Sequence, residues 1–497
     1  MTMVLEDVRG QPLPAIDVFS LSIKALKDHL NSTVEIKNIV LDDEKTKWVL
    51  TVPAIWTDTA KQFMRKSAEK AGIPRDMLTI ALEPEAASIY CQTFPSPGCR
   101  EIAEIGSKYM VVDLGGRIIP VGKGLYMQAM LNEDEKFCKS DNSQVKLNTR
   151  IEEEIDLDSL LTFLSATTEF SQQSTSDWET GGTIDVTVHE KLPNGTLKEV
   201  PKASGNGCGG TSVDDEFIQM FHRIFGGPLL NSLKSENPEA YLYLLRSIEN
   251  VKRTFQPAQS RKVNLTIPYG TLDELCKSNL GEDIKNVISS SSLGSKIQIC
   301  TDKLRIEPLF AKSLFKTTCD NIIASIQSVL QQGTATNVSS ILLVGGFAGC
   351  KMVQNALKAA FPGISTVLQD DSSVIVFKGA VLFGYKSDFI SSRIARYTYG
   401  IELSIPFDKI VHDQKRKELI QGENYCSGIF NPFMKINTSI PKGHKTNQVC
   451  YTECKTGCHY KVYYTDKENV MYTDTGECTL LGEFDIFFTN LESQKRK

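Results

Sequence analysis

The sequence of 497 residues lacks any run of about 18 to 20 uninterrupted apolar residues, so we expect no membrane span. Its first residues have two early acids and no apolar core, so we expect no secretory signal. It has little net charge, since 55 basic and 60 acidic residues leave −5, which disfavours nucleic-acid binding through phosphate neutralisation. The 13 cysteines, without such a signal, favour reduced thiols and a cytoplasmic protein.

Common catalytic and metal-binding motifs are also missing. We find no GxxxxGK followed by Ser or Thr, no GxGxxG after a strand, and no HExxH, GxSxG or CxxC. Cys450, Cys454 and Cys458 precede His459, but the C-x3-C-x3-C-H spacing suits a structural zinc site poorly. We therefore favour thiols packed in a β-rich region, with residues 455–457 as a hairpin turn.

What the sequence does contain is the composition and periodicity of a globular protein. Hydrophobic residues make up 41% and charged residues 23%, and the length suggests about three domain-sized units. Apolar spacing predicts helices, and short β-branched runs predict strands. The predicted helices span 16–30, 57–71, 85–91, 214–260, 351–360 and 378–385, and the strands span 47–53, 78–82, 109–114, 183–190 and 340–344. Mostly β-type runs follow a boundary near residue 395.

Three glycine-rich segments, two of them directly after a predicted strand, stand far apart in the chain: VVDLGG (111–116), SGNGCGGT (204–211) and ILLVGGFAG (341–349). Glycines at such places let backbone amides approach a phosphate without a Cβ in the way. An aspartate at a strand end, such as Asp113, can hold Mg²⁺ through water. Each signal alone is weak, because a plain turn has the same pattern.

A family resemblance appears when these motifs are read in order. The segments TVPAIWTDTAKQFMRKSAEKAGI, LEPEAASIY, DLGG with GTIDVTVHE, ENVKRTF, ILLVGGFAG and KGAVLFGY follow the order found in actin-like ATPases. They resemble the 70-kilodalton heat-shock chaperones most, and within them the divergent heat shock 70 kDa protein 12A/12B branch. The resemblance covers nearly the whole chain apart from one segment.

The resemblance implies an α/β fold, the actin-like ATPase (ribonuclease H-like) fold, with a two-lobed nucleotide-binding body over residues 1–395. It implies a small β-rich C-terminal domain over 396–497 that is similar to a reduced substrate-binding half, since YTDTGECTLLGEFDIFF resembles its closing strands. The implied partners are protein or peptide clients, which could add a strand to a sheet edge. No nucleic-acid partner is implied, and the oligomeric state stays open.

The resemblance also implies an ATP and Mg²⁺ site. Glu83, Asp113 and Asp185 would be catalytic, and Asp113 would also act on the metal or the attacking water. Pro53 resembles a proline that senses the nucleotide. The remaining implied contacts are Gly115, Gly116, Gly181, Gly182, Thr183, Gly209 and Gly210 with phosphates, Glu249, Lys252 and Arg253 with adenine and ribose, and Gly345, Gly346 and Phe347 with adenosine.

Each of these positions has a plainer reading that the sequence leaves open. Asp113 could be a strand-end carboxylate, and Glu83 a helix N-terminal acid that meets the helix dipole. The Lys252–Arg253 pair could lie on a solvated helix face, and Gly345–Gly346 could form a simple turn. His189 ends a strand with no evident partner, so we assign it no catalytic role.

Two departures from the family pattern bear on activity. The family opens with a strand hairpin that forms its first phosphate loop, and nothing like it precedes Met1. We therefore expect this loop and the catalytic lysine of the same region to be missing. Joining Gly116 to Gly182 restores DLGGGTIDVTVHE, so residues 117–181, 65 residues with twelve acids and six bases, read as an insertion in a hairpin turn. Loop-closure entropy tolerates such an insertion, but a turn that grips phosphate does not. We therefore expect impaired ATP hydrolysis, or a non-catalytic nucleotide-sensing scaffold.

Overall fold

The computed structural model describes residues 3–6, 12–36, 41–42, 45–115, 127–131, 182–369, 374–420, 422–447 and 457–487, with the backbone alone at 127–131. The chain divides into two compact units. Unit 1 contains residues 1–195 and 204–389, and unit 2 contains residues 196–203 and 390–497.

The described elements follow in chain order. Up to residue 195 they are β1 (Val4–Glu6), β2 (Pro12–Pro14), α1 (Ala15–Ile36), β3 (Thr46–Val52), α2 (Asp58–Lys70), β4 (Leu78–Leu82), α3 (Glu83–Thr93), β5 (Lys108–Leu114), β6 (Met127–Leu131) and β7 (Ile184–Lys191). From 196 to 389 they are β8 (Leu197–Glu199), β9 (Ser204–Asn206), α4 (Gly210–Phe225), α5 (Gly227–Glu236), α6 (Pro238–Thr254), β10 (Val263–Thr266), α7 (Tyr269–Leu280), α8 (Ile284–Ser290), β11 (Ile297–Cys300), β12 (Lys303–Ile306), α9 (Pro308–Leu330), β13 (Ser340–Val344), α10 (Lys351–Ala360), β14 (Ser365–Leu368) and α11 (Ile375–Tyr385). The remainder are β15 (Ile390–Ile394), β16 (Thr398–Pro406), β17 (Lys417–Ile420), β18 (Glu423–Met434), β19 (Ser439–Pro441), β20 (Gly457–Thr465) and β21 (Thr479–Phe487).

The first part of unit 1 is a small sheet covered by two helices. Strands β3 and β4 are parallel and joined by α2, while β6 pairs antiparallel with β3. The apolar face of α1 packs on this layer, where Ile23, Trp48 and Met64 are fully buried in one core. Thr57 caps α2 by accepting a hydrogen bond from the Ala60 amide at 3.2 Å. The structure confirms the helices predicted at 16–30 and 57–71 and the strands predicted at 47–53 and 78–82.

A second sheet of unit 1 places three strand ends next to one another. Its strand order is β14, β13, β5 and β7, with β9 also paired to β7. Strands β14, β13 and β5 are parallel, whereas β5 and β7 are antiparallel. The residues of β13 and most of β5 are buried, as continuous apolar runs in covered sheets require.

The helical layer beside this sheet differs from the sequence expectation. The pattern over 214–260 predicted one helical stretch, but the structure has α4, α5 and α6, which together end at Thr254. Proline stands in the first turn of both α5 and α6, where its missing amide costs little, so the helices break there. Phe217 of α4 packs edge-on against Phe315 of α9, with ring centroids 6.2 Å apart.

Unit 2 is β-rich, as the sequence predicted for this part of the chain. Five antiparallel strands form one sheet in the order β17, β18, β16, β20 and β21. Strand β15 pairs parallel with β8 and antiparallel with β19, outside this five-stranded sheet. Strand β15 opens the second segment of unit 2, which starts at Ile390.

The mixed helix and sheet content confirms the predicted α/β class. Within the described ranges, no helix is both long enough and apolar enough to cross a membrane. Strands β1 and β2 form a short antiparallel hairpin that the sequence pattern did not predict, because each has only three residues.

Candidate functional site

Two predicted acids lie directly opposite each other near the ends of β5 and β7. Asp113 pairs with Asp185 across this antiparallel ladder, and on its other side Asp113 pairs with Val344 of β13. Both carboxylates are almost fully buried. Opposite residues of an antiparallel pair share one face, so the two negative charges repel each other and a cation at this face would relieve that repulsion.

Asp185 also holds the segment that follows β3. Its Oδ2 accepts hydrogen bonds from the amides of Ala54 and Ile55, the latter at 3.3 Å. These amides come directly after Pro53, the predicted nucleotide-sensing proline. Pro53 is itself buried. The contact therefore links the end of β3 to the aspartate pair, although Ala54 and Asp185 are 131 positions apart in sequence.

The glycine motifs around residues 115 and 210 meet at the same strand end. The Gly115 amide donates to the Thr183 carbonyl at 2.8 Å, and the Gly210 amide donates to the Gly115 carbonyl at 2.7 Å. A Cβ on Gly209 would lie 2.6 Å from the Gly115 oxygen, so only glycine fits there. Two amides predicted to bind phosphate are thus used within the protein.

The strands on either side of the predicted insertion are direct neighbours. Strands β5 and β7 stay paired up to Leu114 and Ile184, which brings Gly115 and Thr183 together at the tip. Gly182 directly precedes Thr183, and a Cβ on Gly182 would overlap the hydroxyl of Thr211. Gly116 and Gly181, also predicted to contact phosphate, lie outside the described residues.

The third glycine motif packs against the end of β5. Gly345 has φ of +89°, and a Cβ at this residue would meet Asp113 Oδ1 and the Leu114 oxygen. The Phe347 amide donates to that same Leu114 oxygen at 3.1 Å. Gly346 lies between them. Burial raises the pKa of Cys350, whose amide donates to the Phe347 carbonyl, so a neutral thiol ends this turn.

Lys252 joins the glycine turn to two helices. Its Nζ lies 2.6 Å from Asp214 Oδ1, 2.8 Å from Glu249 Oε2 and 3.0 Å from the Gly210 carbonyl. The side chain is 1% exposed. The ammonium group donates a hydrogen bond to the Gly210 carbonyl and forms ion pairs with the two carboxylates. Lys252 is therefore buried and does not lie on a solvated helix face.

The neighbours of Lys252 are more open. Arg253 is 58% exposed and donates from Nε to Glu249 Oε1 at 2.8 Å, and the Glu249 side chain is 24% exposed. Lys252 also lies over the ring of Phe347, 5.8 Å from its centroid. The predicted adenine and ribose residues on α6 are thus next to the predicted adenosine turn.

Glu83 follows β4, the neighbour of the strand β3 whose following amides bond to Asp185. It begins α3 directly after Leu82, which pairs with Val52 at the end of β3. Glu83 and Pro53 therefore follow neighbouring parallel strands at one sheet edge, and Glu83 is half-buried. The arrangement suits an acid that faces the site from β4, and it also suits a helix N-terminal acid.

Sequence reasoning missed two buried polar partners. Asp214, 2% exposed, forms the closest ion pair of Lys252, but its spacing of 38 positions gave no signal. His189, which had no evident partner in sequence, lies with Nδ1 2.7 Å from the Ser88 hydroxyl of α3. This buried contact joins α3 to β7.

The described residues include only Cys458 and His459 of the four side chains in the C-x3-C-x3-C-H segment. Cys450 and Cys454 lie outside those residues, as does most of the predicted turn at 455–457. Cys458 lies on β20, and the Nδ1 of His459 is 2.9 Å from Asp485 Oδ1 on β21.

The residues present suit a bound magnesium nucleotide in part. Mg²⁺ prefers carboxylate oxygen, water and phosphate, and the buried pair Asp113 and Asp185 supplies oxygen of that kind. The close approach of Gly209 and Gly345 to the strand ends keeps this edge free of side chains. By contrast, the amides of Gly115 and Gly210 are already hydrogen-bonded.

Comparison with known proteins gives three informative relatives, while no family model matches the chain. Heat shock 70 kDa protein 12A of Homo sapiens is 30% identical over 483 residues, covering 95% of this chain and 69% of the relative. Heat shock 70 kDa protein 12B of Homo sapiens is 30% identical over 452 residues, covering 89% and 63%. A ribosome-associated molecular chaperone of Zygosaccharomyces rouxii is 23% identical over 319 residues, covering 62% and 43%. The chain spans about two thirds of the length of the heat shock 70 kDa relatives.

Proposed function

This chain belongs to the heat shock 70 kDa protein 12 branch of the 70-kilodalton heat-shock family, and we propose that it binds ATP with Mg²⁺ but hydrolyses ATP weakly. The proposed site lies in unit 1, on an actin-like ATPase body with two lobes. The observation that carries the proposal is the meeting of three distant motifs at one sheet edge. There Asp113 stands between Asp185 and Val344, and glycine follows the strand end on β5 and on β13.

In this proposal different residues of the chain contact the metal, the base and the ribose. Asp113 would hold Mg²⁺, and Asp185 keeps the segment after Pro53 against the site. Arg253 and Glu249 face the base and ribose, with Phe347 and the Gly345–Gly346 turn beside them. The bound nucleotide supplies the phosphoanhydride bond that hydrolysis would break.

We expect weak hydrolysis because two amides predicted to bind phosphate are already hydrogen-bonded within the protein. Catalysis of phosphoryl transfer depends on donors that are held ready for the developing negative charge. The amides of Gly115 and Gly210 instead donate to Thr183 and Gly115 carbonyls. Glu83 could still orient a water molecule, but fewer amides would stabilise the phosphate.

Two measurements on the full chain test the proposal. Isothermal titration with ATP and Mg²⁺ should show saturable binding, which Asp113→Asn should weaken about tenfold, equivalent to about 1.4 kcal/mol. Asp320→Asn is the matched control, because Asp320 is an exposed acid in the i,i+4 pair with Lys316 on α9. Release of radioactive phosphate should stay close to the rate without protein. Robust Mg²⁺-dependent turnover would contradict the hydrolysis part.

A second candidate function is a non-catalytic scaffold that uses the fold without nucleotide. The observation that favours it is the close packing of Gly209 against Gly115 and Gly182, which fills the turn with the protein's own backbone. Titration separates the two functions, because a scaffold would show no heat of ATP binding in a chain that is folded by circular dichroism.

We also propose that the β-rich unit 2 binds protein or peptide clients and that the protein works in the cytoplasm. Strand β21 is an edge strand with exposed apolar side chains, among them Leu480, Phe484 and Phe487. An extended peptide could pair with such an edge. Phe484→Lys should then weaken capture of an unfolded client, measured by fluorescence anisotropy with a labelled apolar peptide.

A further inference from the structure

A pair of buried cysteines lies between α3 and the loop that follows it, away from the proposed nucleotide contacts. Cys91 is on the last turn of α3, and Cys99 ends a short 3-10 helix at Pro97–Cys99. Both side chains are fully buried and neither forms a disulfide in the structure. Eight residues separate them in sequence, so any bond between them would close only a short loop.

Both thiols point at one acceptor on β14's C-terminal side. The Cys91 sulfur is 2.7 Å from Gln369 Oε1, and the Cys99 sulfur is 3.6 Å from the same atom. Gln369 is held in turn by donating from Nε2 to the Phe94 carbonyl at 3.4 Å. Two sulfur atoms that share one oxygen in this way are neighbours.

The chemistry of the two thiols differs. A hydrogen bond from the Cys91 thiol, with further help from Ser96, lowers the pKa of Cys99 to about 7. The hydrogen bond with Cys99 and burial raise the pKa of Cys91 well above its ordinary value. Cys99 is therefore the more acidic of the two thiols, and its thiolate is populated near neutral pH. A low-pKa thiol next to a second thiol is the arrangement of redox-active cysteines.

Access requires only a local opening. The residues at 93–95, 98 and 100 are exposed, so the turn that covers Cys99 lies at the surface. Short surface turns open far more often than the whole protein unfolds. A small oxidant could reach Cys99 through such an opening.

From this geometry we propose that Cys91 and Cys99 form a reversible redox site that hydrogen peroxide converts to a disulfide. The Cys99 thiolate attacks one peroxide oxygen, the O–O bond breaks, and the hydroxide that leaves takes up a proton to become water. Cys91 then attacks the resulting sulfenic sulfur, so the S–S bond forms, the S–O bond breaks and a second water leaves with the Cys91 proton. Two thiols lose two electrons, peroxide gains them, and a dithiol reductant reverses the change.

The sequence makes the experiment direct. Trypsin cleaves after Arg75 and Arg100, which leaves Cys91 and Cys99 as the two cysteines of peptide 76–100. The full-length protein is treated with peroxide, quenched with catalase, unfolded and alkylated. Peptide 76–100 should then lack both alkyl groups and weigh about 2 Da less than its reduced, unalkylated form. Dithiothreitol before alkylation should restore both groups.

An internal control comes from the same digest. Cys276, fully buried on α7, lies in peptide 263–277, and burial raises its pKa to about 11. We expect its loss of alkylation to be at least about tenfold smaller, because its thiol stays protonated. Equal loss in both peptides, or peptide 76–100 still carrying two alkyl groups after peroxide, would overturn the proposal.

Single substitutions test the assigned roles. In Cys91→Ser the reactive Cys99 should stop at sulfenic acid and be labelled by dimedone. In Cys99→Ser the remaining Cys91 should not be labelled. Equal labelling of the two variants would contradict the division of roles, and the measurement on the unaltered protein stands even if a variant misfolds.

Discussion

At the scale of single residues, Lys252 is the most heavily engaged charged group in the described part of the site. One buried ammonium faces two carboxylates, of Asp214 and Glu249, and one backbone oxygen, of Gly210. Burying a charge is costly unless partners replace its water. Gly210 and Asp214 belong to α4 and Glu249 belongs to α6, so the lysine joins the first turns of α4 to α6.

Lys252→Met should destabilise the protein strongly. The substitution leaves the carboxylates of Asp214 and Glu249 facing each other without a cation, which costs about 3–5 kcal/mol by analogy with broken buried pairs. Urea unfolding followed by circular dichroism measures the free energy of unfolding.

The adjacent residue provides the control for that measurement. Arg253 bonds Glu249 as well but is 58% exposed, and exposed ion pairs contribute about 0–1 kcal/mol. Arg253→Met should therefore leave stability nearly unchanged. Equal losses in the two variants would show that the burial of Lys252 does not determine its contribution.

Gly345→Ala should also be destabilising, by about 1–3 kcal/mol or more. Gly345 has φ of +89°, which strains any other residue, and the new methyl group would meet the Leu114 oxygen at about 2.5 Å. Gly349→Ala is the control, since it lies in the same motif with nothing within 4 Å and needs no positive φ. Thermal unfolding of both variants gives the comparison. A larger loss at Gly349 would be inconsistent with this account.

At the scale of secondary-structure elements, the periodicity of the sequence predicted the limits of elements that depend on local signals. The limits of β13 and α10 match the predicted 340–344 and 351–360, because continuous apolar runs and 3.6-residue spacing are local signals. The start of α4 at Gly210 was not predicted, because glycine is a poor helix former. That glycine is tolerated because its amide donates to Gly115, a contact that sequence cannot reveal.

The contact between α3 and α11 depends on Gly379. A Cβ there would overlap the Ala86 carbonyl of α3, so the two helices approach as closely as their backbones allow. Gly379→Ala must push them apart, and we expect a loss of about 1–3 kcal/mol even though alanine favours a helix.

A second helical glycine separates the effect of close packing from the effect of helix propensity. Gly270 on α7 has nothing within 4 Å of its missing Cβ, so Gly270→Ala should stabilise by up to about 1 kcal/mol. Urea midpoints that move in opposite directions would support the packing account. Stabilisation by both substitutions would exclude it.

At the scale of the whole molecule, the candidate site shows how far sequence could go. The order of the motifs indicated that Asp113, Gly209 and Gly345 would meet, and the structure brings them to one sheet edge. The sequence could not indicate which amides donate internally, or that Asp185 holds the backbone after Pro53. Those contacts join residues far apart in sequence, for example the 130 positions between Ile55 and Asp185, beyond the reach of any local pattern.

Removing residues 117–181 should tighten ATP binding at least about tenfold, which is about 1.4 kcal/mol. The deletion joins Gly116 to Gly182 and gives a short turn between Leu114 and Ile184, which already pair. A short turn fixes its amides far more narrowly than a long connection does. Titration with ATP measures the affinity, and circular dichroism checks the fold, since β3 loses its β6 neighbour.

A shorter deletion controls for length alone. Removing only residues 132–181 keeps β6 but leaves the turn interrupted, so we expect ATP affinity to stay near that of the full chain. If both deletions tighten binding equally, the restored turn is not the cause.

The three-way contact of Lys252 also constrains how this sequence can change over generations. A lineage that loses the lysine inherits two buried acids, and a lineage that loses either acid inherits a cation with one partner fewer. Each single step passes through a less stable protein, so positions 214, 249 and 252 are expected to drift together or stay fixed. Descendants that replace all three with apolar residues of similar volume could regain stability, because packed apolar side chains often match a buried ion pair.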